Sequence, residues 1–482
     1  MAEISFSTTN RKGKVLNYKG YEYIEDWRRG DDRTENCHNW RCRERTHCNA
    51  RLYYADEQPV ERGQHSHAPD IIKVTAKSAR QALKVRAANT VERPRQIIDE
   101  VRAEMPVYAA VKMSSYNALA KTIGRQRRAE GVPTARVTCL ADIDGSYFLK
   151  ETTRKESVLI ADTGAEDLHR IIVFGDPKCF DYFGRTSVWL SDGTFSVSPP
   201  VFTQLYTVHG EVCGATAPLI YALLPNKCEL TYRRFFTILR DAMIHKSRSE
   251  NVGPEFMLMD FEQSAIIAFR KVFPGTKLRG CNFHFGQSLY RKLVALGHGP
   301  TYATDAEFSI SCRMLFALAF VPVEDVEQAL IELLDTPGFP FKHDDLFIAY
   351  LKTTYVGETT TMFRASGCCI KRPLYPVKFW SCVDRLEKDI HRTTNRLEAW
   401  HRTFSDAINK DHPGIYQFFN LLCREIVHQQ TEAASRMAGE IPRQKKQYAE
   451  VTKRLKNVAS SYGQIDTISY LRSVAINLEI ML

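Results

Sequence analysis

The sequence lacks any hydrophobic run long enough to cross a lipid bilayer, and it lacks an apolar segment near its beginning. None of its apolar stretches approaches the roughly 18 residues that a membrane-spanning helix needs. Residues 1–20 are polar and basic, without the apolar region of a secretory signal. The sequence also has no internal repeat of fixed period and no low-complexity tract. We therefore expect no membrane partner, no secretion and no repeat architecture.

The sequence also lacks a cysteine pattern that suggests disulfides. Its 13 cysteines are scattered and odd in number, which in a chain without a secretory signal favours reduced thiols and a metal site. Of its 482 residues, 44% are hydrophobic and 25% are charged, which is ordinary for a soluble protein of several domains. The net charge of +10 fits a polyanionic partner such as nucleic acid, although a mildly basic enzyme without such a partner shows the same charge.

The N-terminal segment, residues 1–70, is rich in cysteine, histidine and aromatic side chains. Alternating stretches at residues 20–24 and 50–54 predict short β-strands. A segment with so few aliphatic residues needs a cross-link such as a metal ion in order to fold. Two thiols and two imidazoles provide the donor set of a tetrahedral structural Zn²⁺ site, namely Cys42, Cys48, His65 and His67.

The order of residues in this segment resembles the FLYWCH zinc finger, which is a DNA-binding module. The resemblance covers about residues 4–68 and rests on Phe6, Leu16, Tyr21, Tyr23, Trp40, Cys42, Cys48, Ala50, Arg51, His65, Ser66 and His67. It implies one structural Zn²⁺ ion held by the two cysteines and two histidines named above, and contact with DNA. Three neighbouring residues stay outside that ligand set: Cys37, His38 and His47.

Residues 71–150 are basic. Their periodicity predicts three helices, at 76–88, 94–105 and 115–129. The last of these helices carries Arg125, Arg127 and Arg128 near its end. Three helices with a basic last member resemble a helix-turn-helix arrangement that contacts DNA. A helical linker with a solvated basic face is the alternative that the same pattern allows.

Residues 151–300 carry the strongest indication of a fold. A strand that ends at Asp192 is followed by two strands at hairpin spacing, a helix, an apolar strand that ends at Asp260, and a second helix. A last strand at 277–285 and a helix at 286–296 complete the segment. This order is typical of a ribonuclease H-like domain, a mixed sheet with helices on both faces.

Three carboxylates in this part of the chain have the placement of a metal site. Asp192 and Asp260 stand at strand ends, and the carboxyl ends of strands meet at one edge of an α/β sheet. Glu398 lies on an amphipathic helix whose apolar residues predict packing against another element. Three acids suit two Mg²⁺ or Mn²⁺ ions about 3.5–4 Å apart, which promote phosphodiester cleavage and strand transfer. The pattern alone equally allows two turn aspartates and a solvent-facing glutamate.

The residues around these acids resemble the Mutator-like element (MULE) transposase domain. The resembling stretches are WLSDGTF at 189–195, MDFEQSA at 259–265, and CNFH with the following QS at 281–288. The resemblance is close over residues 185–297 and looser over 375–420, where Asn395 to Trp400 are similar to the helix that carries that family's glutamate. It implies that Asp192, Asp260 and Glu398 form a catalytic Asp–Asp–Glu triad.

The resemblance also includes Cys281 and His284, which are too few ligands for a structural zinc site of their own. It implies a position near the active site and contact with DNA. A buried cysteine that only packs as a small hydrophobic residue is an equal alternative.

Residues 300–380 predict helices, for example at 309–318 and 323–334. They resemble the all-helical insertion of MULE and hAT-type transposases, and a plain helical extension is the alternative. We therefore predict an α+β multidomain protein. Its segments are a small β-rich zinc finger (1–70), a basic helical DNA-binding or linker region (71–150), a ribonuclease H-like transposase core (151–299), a helical insertion (300–380), the end of the core with the Glu398 helix (381–430) and a helical C-terminal tail (431–482).

Together these resemblances imply a nuclear DNA transposase with one structural Zn²⁺ and two catalytic Mg²⁺ or Mn²⁺ ions. Its partner is double-stranded DNA, as transposon terminal inverted repeats and as target DNA. Because transposition must pair two ends, we expect a homo-oligomer. The alternative is a domesticated, transposase-derived DNA-binding regulator without catalytic activity. A finger that binds protein partners is a further alternative.

Overall fold

The computed structural model describes residues 4–8, 13–27, 38–44, 46–55, 58–90, 92–130, 137–152, 154–176, 178–249, 252–341, 345–360, 369–388, 390, 392–408, 412–440 and 446–478. The chain divides into two compact units, residues 1–136 and residues 137–482. Across the described ranges, no helix is both apolar enough and long enough to cross a membrane.

The first unit begins with a six-stranded antiparallel sheet in which each strand pairs with the next along the chain. Its strands are β1 (Ser5–Thr8), β2 (Lys14–Tyr18), β3 (Tyr21–Glu25), β4 (Asn39–Cys42), β5 (Arg51–Ala55) and β6 (Gln58–Arg62). The strands expected at 20–24 and 50–54 are β3 and β5. Leu16, Tyr23, Trp40 and Leu52 form the small buried core of the sheet.

Four helices follow in the same unit: α1 (Ile71–Asn89), α2 (Pro94–Ala103), the single turn α3 (Val107–Ala110) and α4 (Tyr116–Ala129). The three longer ones are the three predicted helices. The first starts five residues earlier than expected, because the Asp70 side chain caps it by accepting from the Lys73 N–H. The helices share a buried core that comprises Leu83, Ala87, Ile97, Ile98, Val101, Leu119 and Ile123.

The second unit is built on a seven-stranded mixed sheet. Its strands are β7 (Leu159–Asp162), β8 (Ile172–Gly175), β9 (Val188–Thr194), β10 (Gln204–Val212), β11 (Ala215–Leu224), β12 (Phe256–Met259) and β13 (Lys277–Gly280). The spatial order is β13-β12-β9-β10-β11-β8-β7. The pairs β9–β12 and β12–β13 are parallel, and the other pairs are antiparallel.

Helices and a two-stranded ribbon make up the rest of this unit. The helices are α5 (Cys179–Phe183), α6 (Glu229–Ser247), α7 (Gln263–Val272), α8 (Asn282–Ala295), α9 (Gly299–Thr304), α10 (Ala306–Ala317), α11 (Val326–Asp335), α12 (Asp345–Leu351), α13 (Val377–Trp380), α14 (Val383–Glu387), α15 (Asn395–Ile408), α16 (Ile415–Met437), α17 (Lys446–Ala459) and α18 (Thr467–Ile476). The ribbon is β14 (Glu358–Thr360) with β15 (Cys369–Lys371). Short 3₁₀ turns lie at Leu140–Asp142, Gly145–Leu149 and Leu318–Phe320, and a π-helical turn lies at Lys352–Val356.

Helices cover both faces of the sheet around β9 and β12. The alternation of side chains along a strand sends Trp189 to one face and Leu190 to the other. Trp189 joins the large core that includes residues of α6 and α7, whereas Leu190 and Leu258 pack with Leu397 of α15. This packing brings the α15 helix to the same two strands that carry the aspartates.

The order of elements from β9 to α8 follows the sequence prediction, with two corrections. The strand expected to end at Asp192 continues to Thr194. The strand expected at 277–285 ends at Gly280, and α8 begins at Asn282. A Cβ atom at Gly280 would lie within 2.8 Å of the Phe261 and Phe379 rings, so the chain is tightly packed at this point. The backbone then turns, and the Phe285 N–H bonds to the Cys281 carbonyl in the first turn of α8. Cys281 and His284 therefore lie at the start of a helix.

Two contacts join segments that the sequence analysis treated as separate. The turn at residues 145–149 packs in the second unit, where the Tyr147 and Tyr416 rings lie 4.9 Å apart and the Asp144 N–H donates to the Tyr416 hydroxyl. Residues 137–150 thus belong with the second unit and not with the basic helices. The last helix, α18, packs against α10, and the Tyr470 hydroxyl donates to the Phe320 carbonyl. The expected insertion and the expected tail thus share one core.

Candidate metal centre and active site

Four side chains of the first unit converge on one point. Cys42 ends β4, Cys48 lies in the loop before β5, and the two histidines, His65 and His67, follow β6. Their ligand atoms all lie within 4.8 Å of one another. The Cys42 Sγ is 3.2 Å from the His67 Nε2, and the Cys48 Sγ is 3.3 Å from the His65 Nδ1. Two thiols and two imidazoles at this spacing fit one tetrahedral Zn²⁺ ion.

The outer contacts of the two histidines fix which ring nitrogen faces the sulfur atoms. The His65 Nε2 lies 2.8 Å from the buried Tyr23 hydroxyl, and the His67 Nδ1 lies 3.2 Å from the Ala68 carbonyl. The Tyr21 ring stacks on the His65 ring at 3.5 Å. Metal-binding histidines commonly use the second ring nitrogen in this way, because the hydrogen bond orients the ring and sets the tautomer.

The electrostatics of this cluster favour a thiolate at Cys48. Burial opposes ionisation, but backbone N–H groups of Ala50 and Ser66 outweigh it and lower the pKa of Cys48 to about 7. Of the neighbouring candidates, Cys37 lies outside the described residues. The His38 Nδ1 contacts the Tyr54 carbonyl at 3.1 Å, and His47 is not in the cluster. Within the described ranges, no other group of three or more such ligand atoms is this close together.

Asp192 and Asp260 lie on neighbouring parallel strands. Asp192 belongs to β9, and Asp260 follows β12 directly, with Leu190 opposite Leu258 in the register. Glu398 lies in the first turn of α15, one residue after Leu397, which packs against Leu190 and Leu258. The apolar stripe of α15 therefore brings its acidic residue to the two strands that carry the aspartates.

The charge of Asp192 acts on the other two carboxylates. Burial and then the charge of Asp192 raise the pKa of Asp260 to about 6. Burial and the same charge also raise the pKa of Glu398, against the opposite effect of His284. One buried oxygen of Glu398, Oε1, has no hydrogen-bond partner among the described residues. Two carboxylates whose ionisation the charge of Asp192 opposes, together with an unsatisfied oxygen, fit a site for hard divalent cations.

A chain of polar side chains that the sequence analysis did not assign supports Asp192. The His401 Nδ1 lies 3.5 Å from the Asp192 Oδ2, and the His401 Nε2 lies 3.1 Å from the Thr207 hydroxyl. The His209 Nε2 lies 3.1 Å from the same hydroxyl. Burial lowers the pKa of His209 well below its ordinary value, so this ring is neutral. The spacing of Glu398 and His401 on one helix face is the only sign of this network in the sequence.

Cys281 does not reach the surface. Its side chain is fully buried, and its Sγ accepts hydrogen bonds from the Thr394 N–H at 3.3 Å and from the Thr394 hydroxyl at 3.2 Å. The Thr394 carbonyl in turn accepts from the Leu397 and Glu398 N–H groups at the start of α15. The sulfur of Cys281 therefore holds the segment that begins the Glu398 helix, and contact of Cys281 with DNA stays a prediction.

Arg385 strengthens the same junction. This side chain is completely buried, and its Nη1 donates to the Gly280 carbonyl at 2.9 Å and to the Arg392 carbonyl at 3.1 Å. The Arg392 carbonyl also accepts from the Asn282 N–H at 2.9 Å. The end of β13 and the residues before α15 are thus joined by hydrogen bonds across more than a hundred positions of sequence.

His284 faces the acids from the first turn of α8. Its Nε2 lies 3.7 Å from the Glu398 Oε1. Burial lowers the pKa of His284, but Cys281, Asp192 and Asp260 together outweigh it and raise the pKa to about 9. The imidazole is therefore positively charged at neutral pH, and it is partly exposed beside the acids, where it remains a candidate DNA contact.

The three arginines expected to bind DNA differ in exposure. Arg125 and Arg128 are exposed on α4. Arg127 is only 8% exposed, and its guanidinium donates to the backbone carbonyls of Thr90 and Glu92 between α1 and α2. Arg127 is thus a structural residue and not a surface cation, because the 3.6-residue period turns it towards the core with Leu119 and Ile123.

Comparison with known proteins finds a family match for one part of the chain. This part contains both aspartates and the Cys281–His284 pair. No curated protein matches the chain closely enough to count as a relative. Residues 188–288 match the family model of the MULE transposase domain. This range runs from the first residue of β9 into α8, and it ends before Glu398. From β9 into α8, therefore, the chain is similar to a MULE transposase domain.

Proposed function

We propose that the protein is a DNA transposase that cleaves and joins DNA with Asp192, Asp260 and Glu398. The observation that carries the proposal is that Asp192 and Asp260 come from neighbouring parallel strands and that the helix of Glu398 packs on those strands. The raised pKa values of Asp260 and Glu398, to which the charge of Asp192 contributes, support a common site. The match to the MULE transposase domain supports DNA as the substrate.

The strand order favours a ribonuclease H-like core. Numbered from β9, the five strands from β13 to β11 have the spatial order 5-4-1-2-3, in which the pairs 1–2 and 2–3 are antiparallel and strands 4 and 5 are parallel to strand 1. Sites in such mixed α/β sheets lie outside the carboxyl ends of the parallel strands. Asp260 directly follows β12, and Asp192 lies in the carboxyl-terminal half of β9.

Each residue of the site has a separate task in this proposal. The three carboxylates would hold two Mg²⁺ or Mn²⁺ ions, which activate the attacking hydroxyl and stabilise the leaving oxygen when bound. His401 and Thr207 orient the Asp192 carboxylate. Cys281, Thr394 and Arg385 fix the start of α15 and thereby the position of Glu398. His284 offers a positive charge to a phosphate beside the acids.

We propose further that the first unit recognises element ends. The four ligands fit a structural Zn²⁺ ion, and the sheet that surrounds them is proposed to be a FLYWCH-type finger. The exposed Arg125 and Arg128 add positive charge in the same unit. A transposase acts on chromosomal DNA and must pair two ends, so we propose a nuclear location and a homo-oligomer.

The test is cleavage of a plasmid that carries the inverted repeats flanking the gene, with Mg²⁺ or Mn²⁺. Asp192→Asn, Asp260→Asn and Glu398→Gln should each reduce cleavage by about a thousandfold or more, because the three acids act as a unit. Asp406→Asn removes an exposed acid from the same helix and should leave cleavage unchanged. Cleavage by Asp260→Asn at the wild-type rate contradicts the triad. Tight binding of the repeats without cleavage by the wild-type protein favours a non-catalytic, transposase-derived regulator.

A further inference from the structure

The first unit contains a groove that neither the zinc cluster nor the acidic site uses. Its volume is about 360 Å³. One wall is a face of α1, and the other is the turn between α3 and α4 with the start of α4. Both walls are basic: Lys73, Lys77 and Arg80 come from α1, and Lys112 comes from the turn.

The basic residues of α1 form a stripe. Lys73, Lys77, Arg80 and Lys84 are separated by four, three and four positions, which keeps their side chains on one side of a helix. With a rise of 1.5 Å per residue, the stripe extends for about 16 Å. Double-stranded DNA presents on the order of ten phosphate charges over that length. The stripe therefore matches the backbone of a duplex in both charge and reach.

Two acids face these cations, and they neutralise only part of the set. Asp70 caps α1, and Glu22 of β3 binds the Lys77 Nζ through both of its oxygens at 2.6 Å. By contrast, Arg80 and Lys112 are exposed and have no ion pair or hydrogen bond among the described residues. Two unpaired cations on opposite walls of one groove are suited to an anionic ligand that lies between them.

The stripe has a fixed position relative to the zinc cluster. The Asp70 N–H bonds to the Gly20 carbonyl at 3.0 Å, and the Ser78 hydroxyl lies 2.9 Å from the Ser5 hydroxyl of β1. His67 precedes the cap residue of α1 by only three positions. The zinc cluster and the Glu22–Lys77 ion pair thus hold α1 against the sheet, so the cations are ordered before a ligand arrives.

We propose that this groove binds the sugar-phosphate backbone of double-stranded DNA, with Arg80 and Lys112 in contact with phosphates. The proposal rests on the proposed function, in which duplex DNA is the substrate. Contacts with phosphates do not read sequence, but they fix the position of the duplex for the elements that do. The groove thereby sets the register of the DNA against the sheet of the first unit.

The test is binding of the full-length protein to a labelled 30-base-pair duplex of arbitrary sequence, measured by fluorescence anisotropy over a range of salt concentrations. Each phosphate contact contributes about 0.9 to the slope of log K against log salt. The double variant Arg80→Ala with Lys112→Ala should reduce that slope by about 1.8 and weaken binding about tenfold or more. Both side chains are exposed, so the zinc content and the unfolding temperature should not change.

The matched control is Arg93→Ala with Arg95→Ala. It removes the same charge from exposed positions of the same unit, outside the lining of the groove. A smaller slope in the groove variant alone supports the proposal. An equal loss in both variants, or an unchanged slope in the groove variant, overturns it and leaves the proposed function standing. A wild-type protein that binds no duplex at low salt contradicts the proposed function and the groove together.

Discussion

The zinc cluster and the acidic site are assembled in opposite ways. The four ligands of the first lie between residues 42 and 67, and their donor atoms lie within 4.8 Å of one another. The three acids of the second come from positions 192, 260 and 398, and the charge of Asp192 contributes to the raised pKa values of the other two. A Zn²⁺ ion in the first site would thus be a local cross-link that stabilises the fold. The second is held together by the fold, against the repulsion of its own charges.

The strongest test of this contrast is to remove the zinc ligands. Cys42→Ser with Cys48→Ser should abolish zinc binding and unfold the first unit, because structural zinc contributes about 10–16 kcal/mol of binding free energy to small fingers. The second unit has its own core and should stay folded. Zinc analysis and hydrogen exchange of the full chain measure both effects.

The control for this experiment is Cys139→Ser with Cys213→Ser, which changes two exposed cysteines of the second unit. It should keep about one zinc ion per chain. An unaltered zinc content in the Cys42 and Cys48 variant would show that these thiols do not hold the metal.

A smaller effect is expected from the junction that positions Glu398. Cys281→Ala removes the acceptor of two hydrogen bonds from Thr394, and a buried donor left unpaired costs about 1–3 kcal/mol. The rate of cleavage should fall about tenfold or more, while the affinity for DNA should stay the same. Cys281→Ser retains an acceptor and should restore part of the rate.

Cys312→Ala is the matched control, because it empties a buried cysteine position of α10. If Cys281→Ala weakens DNA binding and leaves the rate intact, Cys281 acts on DNA contact and not on the position of Glu398. A control variant that loses as much rate as Cys281→Ala would point to a general packing defect.

The sequence predicted the elements of both sites for one physical reason. Periodicity reports which face of a helix or strand is buried, so the order from β9 to α8 and the packing of α15 through Leu397 followed from it. The same reasoning missed that Arg127 is buried, because charged side chains are usually exposed. The backbone carbonyls that accept from Arg127 lie 35 or more positions away in the sequence. It also missed the Cys281–Thr394 contact, which joins residues 113 positions apart. Such pairings depend on tertiary packing, which a local pattern does not encode.

The smallest expected effect tests the claim that the acids destabilise the fold. The pKa of Asp260 is raised to about 6 by burial and by Asp192, whereas an unfolded aspartate has a pKa of about 3.9. The protonated form is therefore favoured in the folded state. The stability of the protein should fall as the pH rises from about 4 to about 6, and the loss should be complete above that range. Asp167 behaves in the opposite way: although burial raises its pKa, the Arg234 guanidinium and other hydrogen bonds lower it to about 2.

Asp260→Asn should therefore stabilise the protein at pH 7.5 in EDTA. The full shift corresponds to about 3 kcal/mol, so we expect a gain of about 1–3 kcal/mol, or several degrees in unfolding temperature. The gain should vanish near pH 4, where the wild-type carboxyl is protonated.

The control is Asp167→Asn, which should instead lower the unfolding temperature at pH 7.5, because it breaks an ion pair with Arg234. Millimolar Mg²⁺ should reduce the advantage of Asp260→Asn, since an ion bound to the folded wild-type protein stabilises it by mass action. If Asp260→Asn is less stable than the wild-type protein in EDTA at pH 7.5, its carboxylate supports the fold, and the contrast between the two sites does not hold.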